Sequence, residues 1–217
     1  IDVPEFRSKF LELYHSRYFR PVKDYLVGSI ESLGRLFSQM PWLINSLLNL
    51  SFCREFLKKH IGLRDFPEYS LESVTKRLLK YDQKEFNLDD LYTLSPEESK
   101  RSVILLQDAF TSFYESQVVV EFFQLLKKLD FSVYVAPFHP NGKPLHVKGF
   151  LTKFRYVAER NTKWLAHVGG TGIPIVGLEP SIVLTYRDEY LKILGQNNHK
   201  INVLLPQEFL MMNREKC

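Results

Sequence analysis

Val103-Ile104-Leu105-Leu106 is an uninterrupted apolar run. A strand that lacks polar alternation must be covered on both faces, which calls for a parallel sheet with helices above and below it. The pattern then repeats down the chain. Val118, Phe122, Leu125, Leu126 and Leu129 recur at helical spacing, and Ser132-Val133-Tyr134-Val135-Ala136 gives a second strand. Val147, Phe150, Leu151, Phe154, Val157 and Ala158 predict one further helix running on toward His167, and Pro174-Ile175-Val176-Gly177 a third strand. Val183, Tyr186, Tyr190 and Leu194 predict a third helix, and Val203-Leu204-Leu205 a last strand. Strands alternating with helices imply βαβ units with right-handed crossovers. The expected fold class is α/β: a helical N-terminal segment, then a small parallel sheet of about four strands with flanking helices in Rossmann-like layers.

Residues 1–62 predict helices. Pro4 opens a pattern with Phe6, Phe10, Leu13 and Tyr14 on one face, and Pro21 restarts it with Leu26, Ile30, Leu33 and Phe37. The stretch from Trp42 to Phe56 is the most apolar, with Leu43, Ile44, Leu47, Leu48 and Leu50. It suits a core or inter-domain helix, or a surface that docks on a partner domain or a membrane face. Residues 63–101 are charged and broken by Pro67 and Pro96, which predicts a connecting segment with one short helix near Leu71–Leu79; Ser95-Pro96-Glu97-Glu98 resembles a helix start. Residues 102–217 form the α/β unit.

A net charge of +4 over 217 residues, with no stripe of Arg and Lys interleaved with aromatics, argues against nucleic acid as a partner. The chain begins at Ile1 with neither methionine nor a signal-type segment, so a fragment or a processed product is expected. Two cysteines, Cys53 and Cys217, cannot build a disulfide framework and point to a reducing, cytoplasmic setting. No apolar run approaches the roughly 18 residues of a membrane span, so any membrane association would be peripheral.

Three short pieces each follow a strand and precede a helical pattern: Gln107-Asp108-Ala109, the loop from Pro137 to His146, and Gly177-Leu178-Glu179-Pro180-Ser181. In open α/β sheets ligands bind at that carboxyl edge, where helix N-termini leave N–H groups unpaired. The candidate residues for an interface or anion site are therefore Asp108, His139, Asn141, Lys143, His146, Glu179 and Ser181. Asp108 and Ser181 also suit helix N-caps. Lys143 carries the charge that a carboxylate or phosphate wants, although a solvated loop lysine is the commoner case. His139 and His146 lack a nearby third ligand and make a weak case for metal. Gly169-Gly170-Thr171-Gly172 precedes a strand where a dinucleotide-binding loop should follow one. No serine or cysteine sits in a nucleophile elbow, and no metalloprotease motif is present, so no autonomous catalytic site is visible.

The segment from Val103 to Leu194 resembles one repeat of the cysteine-rich CCG domain of iron–sulfur oxidoreductase subunits. In such repeats a cysteine ends the first strand, Cys-Cys-Gly follows the second, and another cysteine follows the third, ahead of a helix with an Arg-Asp-Glu-Tyr-like ending. Here Asp108, Pro140-Asn141-Gly142 and Ile182 take those places, and Arg187-Asp188-Glu189-Tyr190 is kept. The wording His139-Pro140-Asn141-Gly142-Lys143-Pro144-Leu145-His146, Gly177-Leu178-Glu179-Pro180-Ser181 and Val3-Pro4-Glu5-Phe6-Arg7-Ser8 is similar to the C-terminal part of a family of long bacterial proteins. These fuse an FAD-linked oxidase of the D-2-hydroxyglutarate-oxidising kind to a ferredoxin-like iron–sulfur region. The resemblance implies FAD and 4Fe–4S clusters elsewhere in a parent protein and none held by this chain. It also implies flavin-binding and ferredoxin-like regions of the same parent chain as partners, with a peripheral membrane face or an electron acceptor as further contacts, and a scaffold role for these residues. The alternative from the residues alone is an α/β module that binds a small anion or peptide and has no redox role.

Overall fold

The structure is a computed structural model that describes residues 2–63, 66–81, 83–195 and 201–216; Cys217 lies outside them. The N-terminal layer consists of α1 (Val3–His15), α2 (Val22–Gly28), α3 (Ile30–Phe37), α4 (Pro41–Asn49) and α5 (Ser51–Phe56), the last running into a π-helical turn at Leu57–Ile61. The charged stretch that follows holds three short helices where composition predicts one: α6 (Val74–Leu78), α7 (Leu88–Tyr92) and α8 (Pro96–Lys100). Ser95 starts α8 with a reciprocal capping box, its hydroxyl accepting from the Glu98 N–H and its own N–H donating to the Glu98 carboxylate. Tyr69, Leu78 and Leu91 from this stretch are buried, and Lys84 pairs with Tyr134 along the outer edge of the sheet. That pairing shields an edge strand that would otherwise present open N–H and C=O groups.

The α/β unit runs β1 (Ser102–Leu106), α9 (Ala109–Phe113), α10 (Ser116–Lys128), β2 (Ser132–Val135), α11 (Lys143–Val147), α12 (Leu151–Gly169), β3 (Ile175–Gly177), α13 (Pro180–Leu184), α14 (Tyr190–Leu194), β4 (Val203–Leu204) and α15 (Pro206–Met212). The four strands lie in the order β2-β1-β3-β4, and every pairing is parallel. All of β1 is buried, as its unbroken apolar run requires. Its alternate residues feed two cores. Ile104 and Leu106 face α12 and α13 through Phe154, Ala158, Ile182 and Val183. Val103 and Leu105 face α6 and α10 through Leu78, Val119, Phe123 and Leu126. Each such side chain contributes roughly 1.5–3 kcal/mol on leaving water, so the sheet is held from both sides. Among the described residues no helix is long and apolar enough to cross a membrane.

Two helix boundaries differ from the sequence expectation. The helix expected to run unbroken from Val147 is interrupted before Leu151, where Gly149 adopts φ +66°. Between α13 and α14 the ladder loosens into a π-helical turn at Thr185–Glu189; Tyr186 and Tyr190 are both buried and stack edge-on, 5.3 Å apart.

Helix α1 carries the single face of Phe6, Phe10, Leu13 and Tyr14 that its periodicity predicts, but these four are exposed and the residue buried under the helix is Ser8. The next buried positions, Asp24, Gly28, Glu31 and Gly34, are likewise acidic or without a side chain. The N-terminal layer therefore meets the α/β unit largely through polar groups. Ser8 Oγ lies 3.3 Å from His146 Nε2, Arg20 donates to the carbonyls of Lys148 and Gly149, and Lys148 Nζ pairs with Asp24 at 2.7 Å. Apolar contact is concentrated at the α3–α4 end, where Phe37, Ile44 and Leu48 pack on Ala109, Phe113 and Tyr69, with Tyr25 against Phe150 as a smaller patch at α2.

Gly149 sets how closely α1 approaches. A Cβ at this position would stand 2.7 Å from Leu11 Cβ and from the Ser8 carbonyl oxygen, at a backbone angle that L-residues avoid. Gly149→Ala should therefore cost about 2–4 kcal/mol in urea unfolding, with hydrogen exchange accelerated first in α1. A loss below about 0.5 kcal/mol, the size of an ordinary surface change, would mean that the contact does not constrain the helix.

Candidate functional site

The carboxyl ends of β1, β2 and β3 bring three loops to one rim of the sheet. Asp108 and Asn141 from the first two loops, and Ile182 in the first turn of α13 after the third, are all buried there. Asp108 caps α9: Oδ1 accepts from the N–H groups of Phe110 at 2.8 Å and Thr111 at 3.1 Å, and Oδ2 accepts from the Thr111 hydroxyl at 2.6 Å. Burial pushes this carboxyl above its ordinary range, the Thr111 and Phe110 donors oppose that, and the Glu179 charge adds to it. Gln107 ties the first two loops together, donating to the Ala136 carbonyl at 2.8 Å and accepting from Ser112 Oγ at 3.1 Å.

The loop after β2 is built around a carboxyl group, and the chain supplies it. The N–H groups of Asn141 and Gly142 donate to Glu31 Oε1 and Oε2 at 2.7 and 2.9 Å. Gly142 sits at φ +76°, which glycine tolerates and which turns both N–H groups the same way. Asn141 Oδ1 accepts from the Lys143 N–H at 2.9 Å and so opens α11. Behind them Tyr190 donates to the Asn141 carbonyl at 2.7 Å, and Asn161 donates to both the Tyr190 hydroxyl and the Pro140 carbonyl. Burial pushes the Glu31 carboxyl up to about 7, the two backbone donors opposing and the Asp108 charge reinforcing it. Burial likewise holds the hydroxyls of Tyr186 and Tyr190 far above the usual phenol range, so both stay neutral, and Tyr190 acts as a donor.

The remaining candidates fall into two other places. Lys143 and His146 point away from the Glu31 pocket toward α1 and α14: Lys143 Nζ lies 2.5 Å from Glu189 Oε1, and His146 Nδ1 lies 3.9 Å from the same oxygen. Burial lowers the His146 pKa, the Glu189 charge opposing and Lys143 reinforcing that shift. Glu189 Oε2 is buried without a partner. His139 stacks on Trp164 with ring centroids 4.2 Å apart, and burial together with the Arg160 and Arg35 charges lowers its pKa. Ser181 does not cap a helix. Pro180 begins α13 one residue earlier, Glu179 is the cap, and its Oε1 accepts from the Ser181 N–H at 3.2 Å. The sequence reading missed Glu31, Glu189, Asn161 and Tyr190. The available signal for Glu31 was its place between Gly28 and Gly34 at helical spacing, a face with room for another backbone.

The rim does not fit an iron–sulfur cluster. Such clusters are held by thiolates, whereas the rim offers a carboxylate, an amide and an aliphatic side chain, with Glu31 already on the N–H groups. The described free cysteine, Cys53, lies on α5 in the N-terminal layer. Among the described residues no group of three or more His, Cys, Asp or Glu could hold a metal ion.

Two outcomes follow for Glu31. Because its folded pKa is raised from 4.5 to about 7, its contribution is fully present below pH 4.5 and is lost as pH rises through 7. The difference corresponds to about 3 kcal/mol at most. Glu31→Gln cannot ionise but sets an NH2 against one of the two N–H donors, so it should be less stable than the wild type at pH 4.5 by about 1–3 kcal/mol and lack the wild type's decline as pH rises, as read by urea unfolding from pH 4.5 to 8. Parallel curves would refute the assignment. Glu31→Ala leaves two buried N–H groups unpaired, at about 1–3 kcal/mol each, and millimolar formate should restore part of that loss where chloride does not.

Comparison with known proteins gives a consistent result. No protein-family model matches the chain, and no solved structure matches it. It is 42% identical over 210 residues to a curated D-2-hydroxyglutarate dehydrogenase of Escherichia coli (strain K12), which covers 97% of this chain and 21% of that protein. The protein of the same name from Pseudomonas putida is 40% identical over 211 residues, and the one from Haemophilus influenzae 37% over 210, again with 97% of this chain covered and 21% and 20% of theirs. The chain thus spans about a fifth of the length of the curated relatives it matches. Along nearly all of its own length, this chain is homologous to a one-fifth portion of bacterial D-2-hydroxyglutarate dehydrogenases.

Proposed function

We propose that this chain is a non-catalytic scaffold within a larger 2-hydroxy-acid oxidoreductase of the D-2-hydroxyglutarate type. In this role it joins the flavin-binding and ferredoxin-like regions of the same parent chain, as a CCG-like repeat whose cluster ligands have been replaced. The carrying observation is Glu31: the strand-end N–H groups that would otherwise receive an anionic ligand are closed by an internal carboxylate. A stand-alone anion-binding module would keep such donors free, so the geometry favours the scaffold over the module. FAD and 4Fe–4S clusters in the rest of the enzyme would supply the redox chemistry. The residues here supply position: Gln107 and Asp108 fix the first loop, Glu31, Asn161 and Tyr190 the second, and Glu179 the third. Two cysteines in the sequence suit a reducing cytoplasm.

The test compares two purified proteins. The full-length parent should oxidise D-2-hydroxyglutarate and carry iron and flavin. Residues 1–217 prepared anaerobically should hold neither and should leave the hydroxy acid untouched. Stoichiometric iron in the short chain, or a full-length protein inert toward every 2-hydroxy acid, would overturn the proposal.

A further inference from the structure

Helix α1 carries its apolar residues on the wrong side for a core. With 3.6 residues per turn, Val3, Phe6, Phe10, Leu13 and Tyr14 fall within one stripe, and Ser8, Leu11, Glu12 and His15 fall on the opposite one. The second stripe faces the α/β unit. The first is open, with Phe6 66%, Phe10 53% and Leu13 63% exposed. Its rings form a ladder that continues past the helix end: Phe6 stacks on Phe10 at 6.5 Å, Phe10 on Tyr14 at 5.8 Å and Tyr14 on Tyr18 at 4.7 Å.

The helix cannot turn this face inward within the observed fold. Its underside is fixed by the backbone contact at Gly149, by Ser8 against His146, and by Lys192 pairing with Asp2. The outward ladder is therefore specified by the packing beneath it. A contiguous row of exposed aromatics on a pinned helix marks an interaction surface, because scattered exposed apolar residues are ordinary and a continuous stripe is not. The relatives matched over 97% of this chain are about five times its length, so most of the chain to which this portion corresponds lies outside these residues. The exposed Arg7, flanking the stripe by helical spacing, and the exposed Arg17 just beyond the helix end form no ion pair among the described residues, which suits a partner with an apolar centre and an acidic margin.

We propose that the Phe6–Phe10–Tyr14 face of α1 is the docking surface for a segment of the same parent polypeptide outside residues 1–217, one that presents an apolar patch bordered by Asp or Glu. This rests on the reading of the chain as part of a longer enzyme. A second copy of the chain and a lipid surface are the rival occupants.

The experiment uses the full-length protein with benzoylphenylalanine in place of Phe10, irradiated and mapped by mass spectrometry. The expected result is an intrachain cross-link to a peptide outside residues 1–217, lost when Phe6 and Leu13 are both replaced by Asp. A cross-link between two copies, a cross-link to added phosphatidylglycerol vesicles, or no cross-link at all would overturn the docking assignment. Turnover of D-2-hydroxyglutarate is measured on the same preparation. An active protein that fails to cross-link outside residues 1–217 sinks the docking surface alone, whereas a cross-linked protein with no turnover sinks the enzyme reading alone. Hydrogen exchange across α1 in the full-length protein gives a second readout. The amides of α1 should exchange at least tenfold faster in Phe6→Ser/Phe10→Ser than in the wild type, and equal rates would again refute docking.

Discussion

A single carboxylate decides how the two halves of this molecule meet. Glu31 reaches from the N-terminal helices into the loop after β2 and accepts from two consecutive backbone N–H groups. Without it, two buried donors at the end of a strand would be unsatisfied. The cost of burying this acid is visible in its raised pKa. The return is directional: two N–H vectors and one carboxylate plane fix a register that apolar contact alone would leave free to slide.

The same logic runs along the whole contact. Hydrophobic burial holds the sheet to its own helices, with β1 serving two cores at once. The N-terminal layer is attached differently, through Ser8, Arg20, Asp24 and Glu31, all directed at residues 140–150. Such contacts give little net stability apiece, but each is expensive to break one-sidedly because a buried partner is left behind. A layer held in this way keeps its apolar surfaces for another use. That explains how α1 and the exposed Trp42, Phe52 and Phe56 of α4 and α5 can remain outward without the fold collapsing onto them.

Much of the α/β half was legible because its signals are local. An unbroken Val-Ile-Leu-Leu run can be satisfied only by cover on both faces, and Asp108 two residues beyond it is where a cap is needed. The helix break at Gly149 was hidden because Val147, Phe150 and Leu151 keep a helical period across it; the cause is the close approach of α1, a tertiary fact. What covers the apolar face of α1 was illegible for a related reason. Amphipathicity identifies the apolar side of a helix but not whether the core or another surface will cover it. Glu31 was missed because its partners lie more than a hundred positions away, and a lone acid in a helix usually faces water.

The rim also shows how a strand-end edge can be closed by the chain's own side chains. The helices α9, α11 and α13 are each five residues long, too short for a substantial macrodipole. What their starts impose is an accounting of unpaired N–H groups. Each start is answered by a carboxylate or an amide of the chain itself: Asp108 for α9, Glu31 and Asn141 for α11, Glu179 for α13. Three acids at one rim repel one another, and the raised pKa values of Glu31 and Asp108 record that strain alongside burial. Were the repulsion unanswered, the loops would spread. They are held instead by neutral groups, Tyr190 and Asn161 on one side and Gln107 on the other. An external anion could enter only by displacing a residue already positioned, so the edge serves as a joint between layers.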